Sequence, residues 1–329
     1  MKDLEKQSTS LIELAEEGSD PAYGYFYDQR PIEVLFQYGI IPLDKPEGPT
    51  SHEVVSYVRK ILGVKKAGHS GTLDPPATGL LPVGLGEATK ALSTLLLGPK
   101  EYVAAARLHD PVSDEKIRKV LHEFTGEIYQ RPPQRSSVKR VTRIRKIYSI
   151  DLLEQVGKLI LLKVSCQAGT YIRKLIYDIG EVLGCGATMV ELRRTKVCHI
   201  SEQDGLVRLH DLLYAKEMLK AGDESYMRRY VRPIEYATAW MKEVYIRDSA
   251  VDALCHGAQL AIPGIIKLSS NIAAGDIVAI YTLKGELVAI AQALLSTLEI
   301  VEREKGIAFK TNRVIMKPGT YRKLWRSKS

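Results

Sequence analysis

One stretch carries the residue types that could do chemistry: Lys65-Lys66-Ala67-Gly68-His69-Ser70-Gly71-Thr72-Leu73-Asp74-Pro75-Pro76-Ala77-Thr78-Gly79-Leu80-Leu81-Pro82-Val83-Gly84. Asp74 is its only acid. An ionised carboxylate presented at close range can act as a nucleophile or a base, whereas an isolated Asp-Pro is ordinarily a turn in which the carboxylate caps a backbone N–H. The company of Asp74 favours chemistry: Lys65 and Lys66 upstream, a His69-Ser70-Gly71-Thr72 run before it, and an apolar Gly79-Leu80-Leu81-Pro82-Val83 exit that would bury the far end. The glycines, with Pro75, Pro76 and Pro82, exclude a regular helix or a central strand, so a stiff loop is expected.

The elements that must position this loop can be read on either side of it. Ile40 to Lys45 reads as a short strand entering a Pro/Gly turn. Thr50 with Glu53 forms a capping box that opens a helix with Val54, Val58, Ile61 and Leu62 on one face and Gly63 as its stop. Glu101 to Leu108 reads as a strand with Tyr102 near its start, where a tyrosine is ordinarily a core residue with its hydroxyl at the surface. Leu159 to Val164 is a further strand, and Ala168-Gly169-Thr170 turns it into a helix carrying Ile172, Leu175, Ile176, Ile179, Val182 and Leu183 on one face and ending at Gly184. Arg173 falls in the first turn of that helix, where a cation opposes the helix dipole unless an anion answers it. Neither Asp178 nor Glu181 stands at the spacing that would do so.

The string from Gly68 to Pro82 resembles the catalytic loop of the TruB/dyskerin family of RNA pseudouridine synthases, and four other segments match motifs of that family. These are Leu43-Asp44-Lys45-Pro46 with Gly48, Thr50 and Ser51; Lys100-Glu101-Tyr102; Gly169-Thr170-Tyr171-Ile172-Arg173; and Leu192-Arg193-Arg194. The resemblance implies that Asp74 is the catalytic aspartate and that Arg173 keeps it ionised and aimed. It also implies that Tyr102 stacks on the target base and that Tyr171 lies in the active site. Leu192 would line the base pocket, and His69 would help hold the target out of its stack. Substrate contacts are further expected from Lys45, Thr72, Arg131, Arg135, Lys139 and Arg140. One departure is Pro75-Pro76-Ala77-Thr78, where the dyskerin branch more often has Pro-Lys-Val-Thr.

The 329 residues allow two domains, and the excess of 47 Lys+Arg over 39 Asp+Glu favours a polyanionic partner. Gly126 to Lys146 contains no acid after Glu127, and its Arg131-Pro132-Pro133-Gln134-Arg135-Ser136-Ser137-Val138-Lys139-Arg140 string fits phosphate contacts. No apolar run approaches the roughly 20 residues of a membrane span. The N-terminus lacks a signal peptide's apolar core, so a cytoplasmic protein is expected. Cys166, Cys185, Cys198 and Cys255 show no zinc spacing and read as reduced, mostly buried side chains.

Beyond about Val231 the texture changes to short strands and tight turns, with a helical piece near Asp248 to Cys255, a hairpin around Lys284-Gly285, and Gly306 to Met316 following. Length and position resemble a PUA domain, an RNA-binding module. The expected fold is α+β: a mixed, mainly antiparallel sheet with flanking helices at 33–230, a small β-barrel-like PUA domain at 231–329, and an arm at 1–32 packing on that domain.

The resemblance implies no cofactor and no metal. It implies guide-RNA-dependent modification of rRNA, with tRNA as a further target, by the catalytic subunit of an H/ACA ribonucleoprotein. Its partners would be guide and target RNA and small accessory proteins: a zinc-ribbon-like one, a β-barrel one and a kink-turn-binding one. The alternatives are a stand-alone tRNA enzyme and a non-catalytic RNA-binding scaffold. The long N-terminal arm, the Arg131 to Arg140 string and the C-terminal domain count against the former, and the joint presence of Asp74, Tyr102, Tyr171 and Arg173 against the latter.

Overall fold

The computed structural model describes residues 10–131 and 141–323. Strand β1 (Leu11–Glu13) and helix α1 (Ile32–Leu35) precede β2 (Gly39–Lys45) and α2 (Ser51–Leu62). Then come β3 (Ala67–His69), β4 (Thr78–Leu85), α3 (Leu92–Leu97), β5 (Lys100–Leu108), α4 (Asp114–Glu123), β6 (Gly126–Gln130), β7 (Arg143–Val156), β8 (Leu159–Cys166), α5 (Ile172–Leu183) and β9 (Ala187–Val197). β10 (Ile200–Ser201), α6 (Leu209–Lys220), α7 (Ser225–Tyr230) and β11 (Arg232–Pro233) lead into a β-rich part. That part holds β12 (Lys242–Ile246), α8 (Asp248–Cys255), β13 (Leu260–Ala261), β14 (Ile265–Ser269), β15 (Ile277–Thr282), β16 (Leu287–Ala293), α9 (Thr297–Val301) and β17 (Ile307–Val314).

Among the described residues the strands form two sheets. The larger runs β11-β2-β4-β9-β5-β8-β7-β6, with β3 and β10 attached to β4 and β9, and the smaller runs β1-β14-β12-β15-β16-β17-β13. Most neighbours are antiparallel; β4 with β9 and β12 with β15 are parallel. The fold is therefore mixed α+β, as the sequence implies. The N-terminal strand belongs to the second sheet, with Leu11 opposite Ser269 and Glu13 opposite Lys267. One apolar cluster contains Ile40, Leu80 and Val197 of the first sheet and Ala279, Tyr281 and Ile290 of the second, so the two parts share a core. Among the described residues no helix is long and apolar enough to cross a membrane.

The local signals act where they stand. Thr50 and Glu53 form the capping box of α2, and Gly63 closes that helix in the left-handed region. Gly184 does the same for α5, whose Ile172, Leu175, Ile176, Ile179 and Leu183 are buried. Val182, expected on that face, is 53% exposed because it lies at the margin of the apolar arc.

A larger difference concerns the candidate loop. Its exit is strand β4, inside the sheet and paired with β2 on one side and with β3 and β9 on the other. Pro82 was expected to forbid this, since it has no N–H to give. It faces Pro42, and neither donates: the Pro82 carbonyl accepts from Ser70 N at 3.1 Å and the Pro42 carbonyl from Val207 N at 2.9 Å. Two prolines opposed where antiparallel partners exchange no hydrogen bond leave the ladder intact.

Candidate active site

The loop between β3 and β4 is held from several directions by residues remote in sequence. Ser51, the first residue of α2, is fully buried, and its hydroxyl accepts from Leu73 N at 2.9 Å and donates to Leu73 O at 3.1 Å. Gly48 N donates to Pro75 O at 3.0 Å, and Ala77 N to Asp74 O at 3.0 Å, closing a tight turn around the two prolines. Lys45 is fully buried and donates to the carbonyls of Pro46, Pro75 and Ala77 at 2.9, 2.9 and 2.8 Å. Burial lowers its pKa against the opposing pull of Asp74 and Glu47. The Lys45 ammonium thus directs its three donors at backbone carbonyls in and beside the loop.

Arg194 underlies the loop and is 1% exposed. Its Nε donates to Leu80 O at 2.8 Å and its Nη2 to Gly71 O at 3.1 Å. At the loop's far end Gly79 (φ +96°) lies so close to β9 that a Cβ there would stand 2.3 Å from Arg194 O, so only glycine fits.

This clamping presents Asp74 outward. Arg173 Nη2 donates to Asp74 Oδ2 at 2.7 Å, and the two side chains are 56% and 54% exposed. An ion pair so open to water contributes only about 0–1 kcal/mol to stability. The surrounding hydrogen bonds fix the loop's backbone and leave this carboxylate at the surface beside the guanidinium.

Tyr102 and Leu192 are half-buried at the margin of the cluster formed by α5 and the sheet, Tyr102 opposite Arg194 and Leu192 opposite Ala104. Burial raises the Tyr102 phenol's pKa, the Arg194 guanidinium pulls it back, and the nearby Asp74 carboxylate adds to the rise. Arg194 links the two regions, standing opposite Tyr102 across β5 and β9 and donating to Gly71 O in the loop that carries Asp74. Tyr171 is the N-cap residue of α5, so Arg173 leaves the helix within its first turn.

His69 ends β3, its ring centroid 5.0 Å from that of His52 in an edge-on contact, and both its ring nitrogens are buried without a hydrogen-bond partner among the described residues. Thr72 and Arg131 are exposed. Arg135, Lys139 and Arg140 lie outside the described residues. Arg194, which in the sequence is only one residue of a Leu-Arg-Arg string, joins the site through its bonds to Leu80 O and Gly71 O.

Comparison with known proteins decides what this constellation belongs to. Residues 59–172 match the TruB family pseudouridylate synthase N-terminal domain, and 173–239 match the tRNA pseudouridylate synthase B C-terminal domain. Residues 242–315 match the PUA domain and 3–55 the DKCLD domain. A probable tRNA pseudouridine synthase B of Methanopyrus kandleri is 52% identical over 96% of this chain and 93% of its own length. Its counterpart in Thermococcus kodakarensis is 50% identical over 99% and 96%. The chain belongs to the TruB family of pseudouridine synthases.

Among solved structures, a chain of an H/ACA RNP bound to a substrate RNA containing 2'-deoxyuridine superposes with a TM-score of 0.89. The two are 46% identical, over 96% of this chain and 97% of that one. An archaeal box H/ACA Nop10-Cbf5 complex gives a TM-score of 0.88 and 47% identity over 96% and 99%.

In this TruB-family chain His69 makes stability depend on pH. Burial first, then the charges of His52 and Arg194, lower its pKa from 6.5 to about 4. Above pH 6.5 the ring is neutral folded and unfolded, and the native state keeps its full advantage. Between pH 6.5 and 4 the unfolded chain takes up a proton that the fold refuses, so stability falls on acidification. Replacing His69 by Asn should narrow the gap between denaturant midpoints at about pH 7 and pH 5. An unchanged gap would exclude His69 as its source.

Proposed function

We propose that this chain isomerises uridines to pseudouridine at positions selected by a guide RNA, as the catalytic subunit of an H/ACA ribonucleoprotein. The observation that carries the reading is the Asp74–Arg173 pair, open to solvent at 2.7 Å and linked to Tyr102 through Arg194. Isomerisation breaks the N1–C1′ bond, turns the freed base and forms C5–C1′. The C5 hydrogen leaves as a proton and N1 regains one, so no electrons are gained or lost. Asp74 serves as nucleophile or base, with Arg173 aiming it. Tyr102 stacks on a base already extruded from its helix, Tyr171 assists proton transfer at C5, and Leu192 shapes the pocket. His69 and Thr72 border the extruded nucleotide. Arg131, Arg135, Lys139 and Arg140 contact phosphates, while Lys45 positions the loop.

We divide the chain correspondingly into an arm (1–32), a catalytic domain (33–230) and an RNA-binding PUA domain (231–329), working in the cytoplasm. Support comes from β12 to β17 forming the second sheet and from β1 joining it, while β11 at 232–233 still pairs with β2 of the first. Solved relatives described as an H/ACA RNP bound to a substrate RNA, an archaeal box H/ACA Nop10-Cbf5 complex and a Cbf5-Nop10-Gar1 complex support guide RNA and small partner proteins as companions. The names of the curated relatives favour a second reading, a stand-alone tRNA enzyme.

Tritium release from uridine labelled at C5 separates the two. The proposal expects release from a guided target only when guide RNA and accessory proteins are added. Equal release from bare tRNA by the protein alone would favour the second reading.

A further inference from the structure

Gln130 closes β6 opposite Arg143, and its side chain lies in the interior, 2% exposed. The carboxamide reaches across to the turn that precedes α5. There Nε2 donates to Tyr171 O at 3.1 Å and Oε1 accepts from Tyr171 N at 2.9 Å. The pairing fixes the amide's orientation, because a flipped amide would set donor against donor and acceptor against acceptor. Tyr171 has no side-chain cap from its own segment, and its carbonyl also starts the helical ladder by accepting from Leu175 N at 3.0 Å.

Gln130 therefore holds the peptide groups on both sides of Tyr171. Their orientation sets the direction in which the Tyr171 ring and, two residues on, the Arg173 side chain leave the backbone. Strand β7 secures the remainder of the same turn: Arg145 Nε donates to Gly169 O at 3.1 Å, Gln167 N to Lys146 O at 2.8 Å, and Lys146 N to Gln167 Oε1 at 3.2 Å. Strands β6 and β7 thus brace the turn on which the aim of Arg173 at Asp74 depends.

From this geometry we infer that Gln130 is a positioning residue for the isomerisation, acting through Tyr171 and Arg173 without touching the reacting base. The inference rests on the reading of Asp74 and Arg173 given above. It is tested by single-turnover pseudouridine formation in the assembled complex, with enzyme in excess and RNA affinity measured in parallel. Gln130→Ala should slow the step about 10- to 100-fold, the cost of misplacing a catalytic group by roughly an ångström, with the dissociation constant for RNA unchanged within about threefold. Combined with Arg173→Ala, it should cost clearly less than it does alone, because the part of its effect that runs through the Asp74–Arg173 contact is already lost.

Gln130→Glu keeps the side chain's size and the bond from Tyr171 N–H, so it tests the idea even if the alanine variant folds poorly. Ionised, it sets an oxygen against the Tyr171 carbonyl; protonated, it regains the donor. Its rate relative to wild type should therefore rise as pH is lowered from about 8 towards 5. A relative rate flat with pH, or multiplicative losses in the double variant, would overturn the positioning role. No product from the wild-type complex would instead refute the reading of Asp74.

Discussion

Replacing Asp74 by Asn should abolish pseudouridine formation, by on the order of 10^4-fold or more, while leaving the folded protein and its RNA affinity in place. The magnitude follows from chemistry: an amide of the same shape is neither a nucleophile nor a base at a sugar carbon. The selectivity follows from position. The carboxylate is 54% exposed and accepts from the Arg173 guanidinium, while the backbone carbonyl of Asp74 accepts from Ala77 N. Asparagine retains that backbone bond, and the exposed ion pair adds only about 0–1 kcal/mol. A denaturant midpoint close to wild type beside an absent activity is the expected pair of results. A variant still forming product within about tenfold of wild type would move the catalytic role to another group.

The second large effect is on stability, at the junction of the two sheets. Arg30 and Glu235 pair at 2.7 and 2.8 Å, with side chains 4% and 9% exposed. Glu235 Oε1 also accepts from Leu287 N at 2.7 Å, and Glu286, 4.0 Å from Arg30, accepts from the Tyr321 hydroxyl at 2.8 Å. Burial works against the Arg30 charge, yet Glu235 and Glu286 raise its pKa; burial also raises that of Glu286. Arg30→Ala would strand these carboxyl groups in a dry site and should cost about 3–5 kcal/mol, read as a lower denaturant midpoint. Arg30→Met with Glu235→Gln should recover part of that loss, since the amide oxygen can still accept from Leu287 N and only Glu286, which keeps the Tyr321 hydroxyl, remains as a buried carboxyl group. A loss below about 1 kcal/mol for the single variant would show that the pair does not hold the junction.

The contrast between these two pairs explains how far the sequence could be read. The segments around Asp74 and Arg173 were legible because their signals are local: a capping box, a glycine stop, and a stiff run of glycine and proline. Helix spacing shows only that the cation at the start of α5 has no acid of its own; the resemblance of Gly169 to Arg173 to the family's motif names Asp74 as its partner, and the two stand 2.7 Å apart. What failed to show was which contacts fold back from elsewhere. Lys45 looks like a surface cation until the carbonyls of Pro75 and Ala77 surround it, 30 and 32 residues away in the chain. Pro82 looks like a strand breaker until Pro42 is found opposite it. Gln130 carries no charge and belongs to no motif, and its purpose appears only once Tyr171 is placed beside it.

The account stands or falls on whether this open carboxylate remakes a glycosidic bond. The most direct measurement is C5 tritium release in a single turnover, on a guided uridine, with wild-type and Asp74→Asn protein bound to the same RNA. Release matched one for one by pseudouridine in the wild type, and none in the variant, is the predicted result. Bound RNA whose uridine stays unchanged in the wild type, with every partner present, would contradict it.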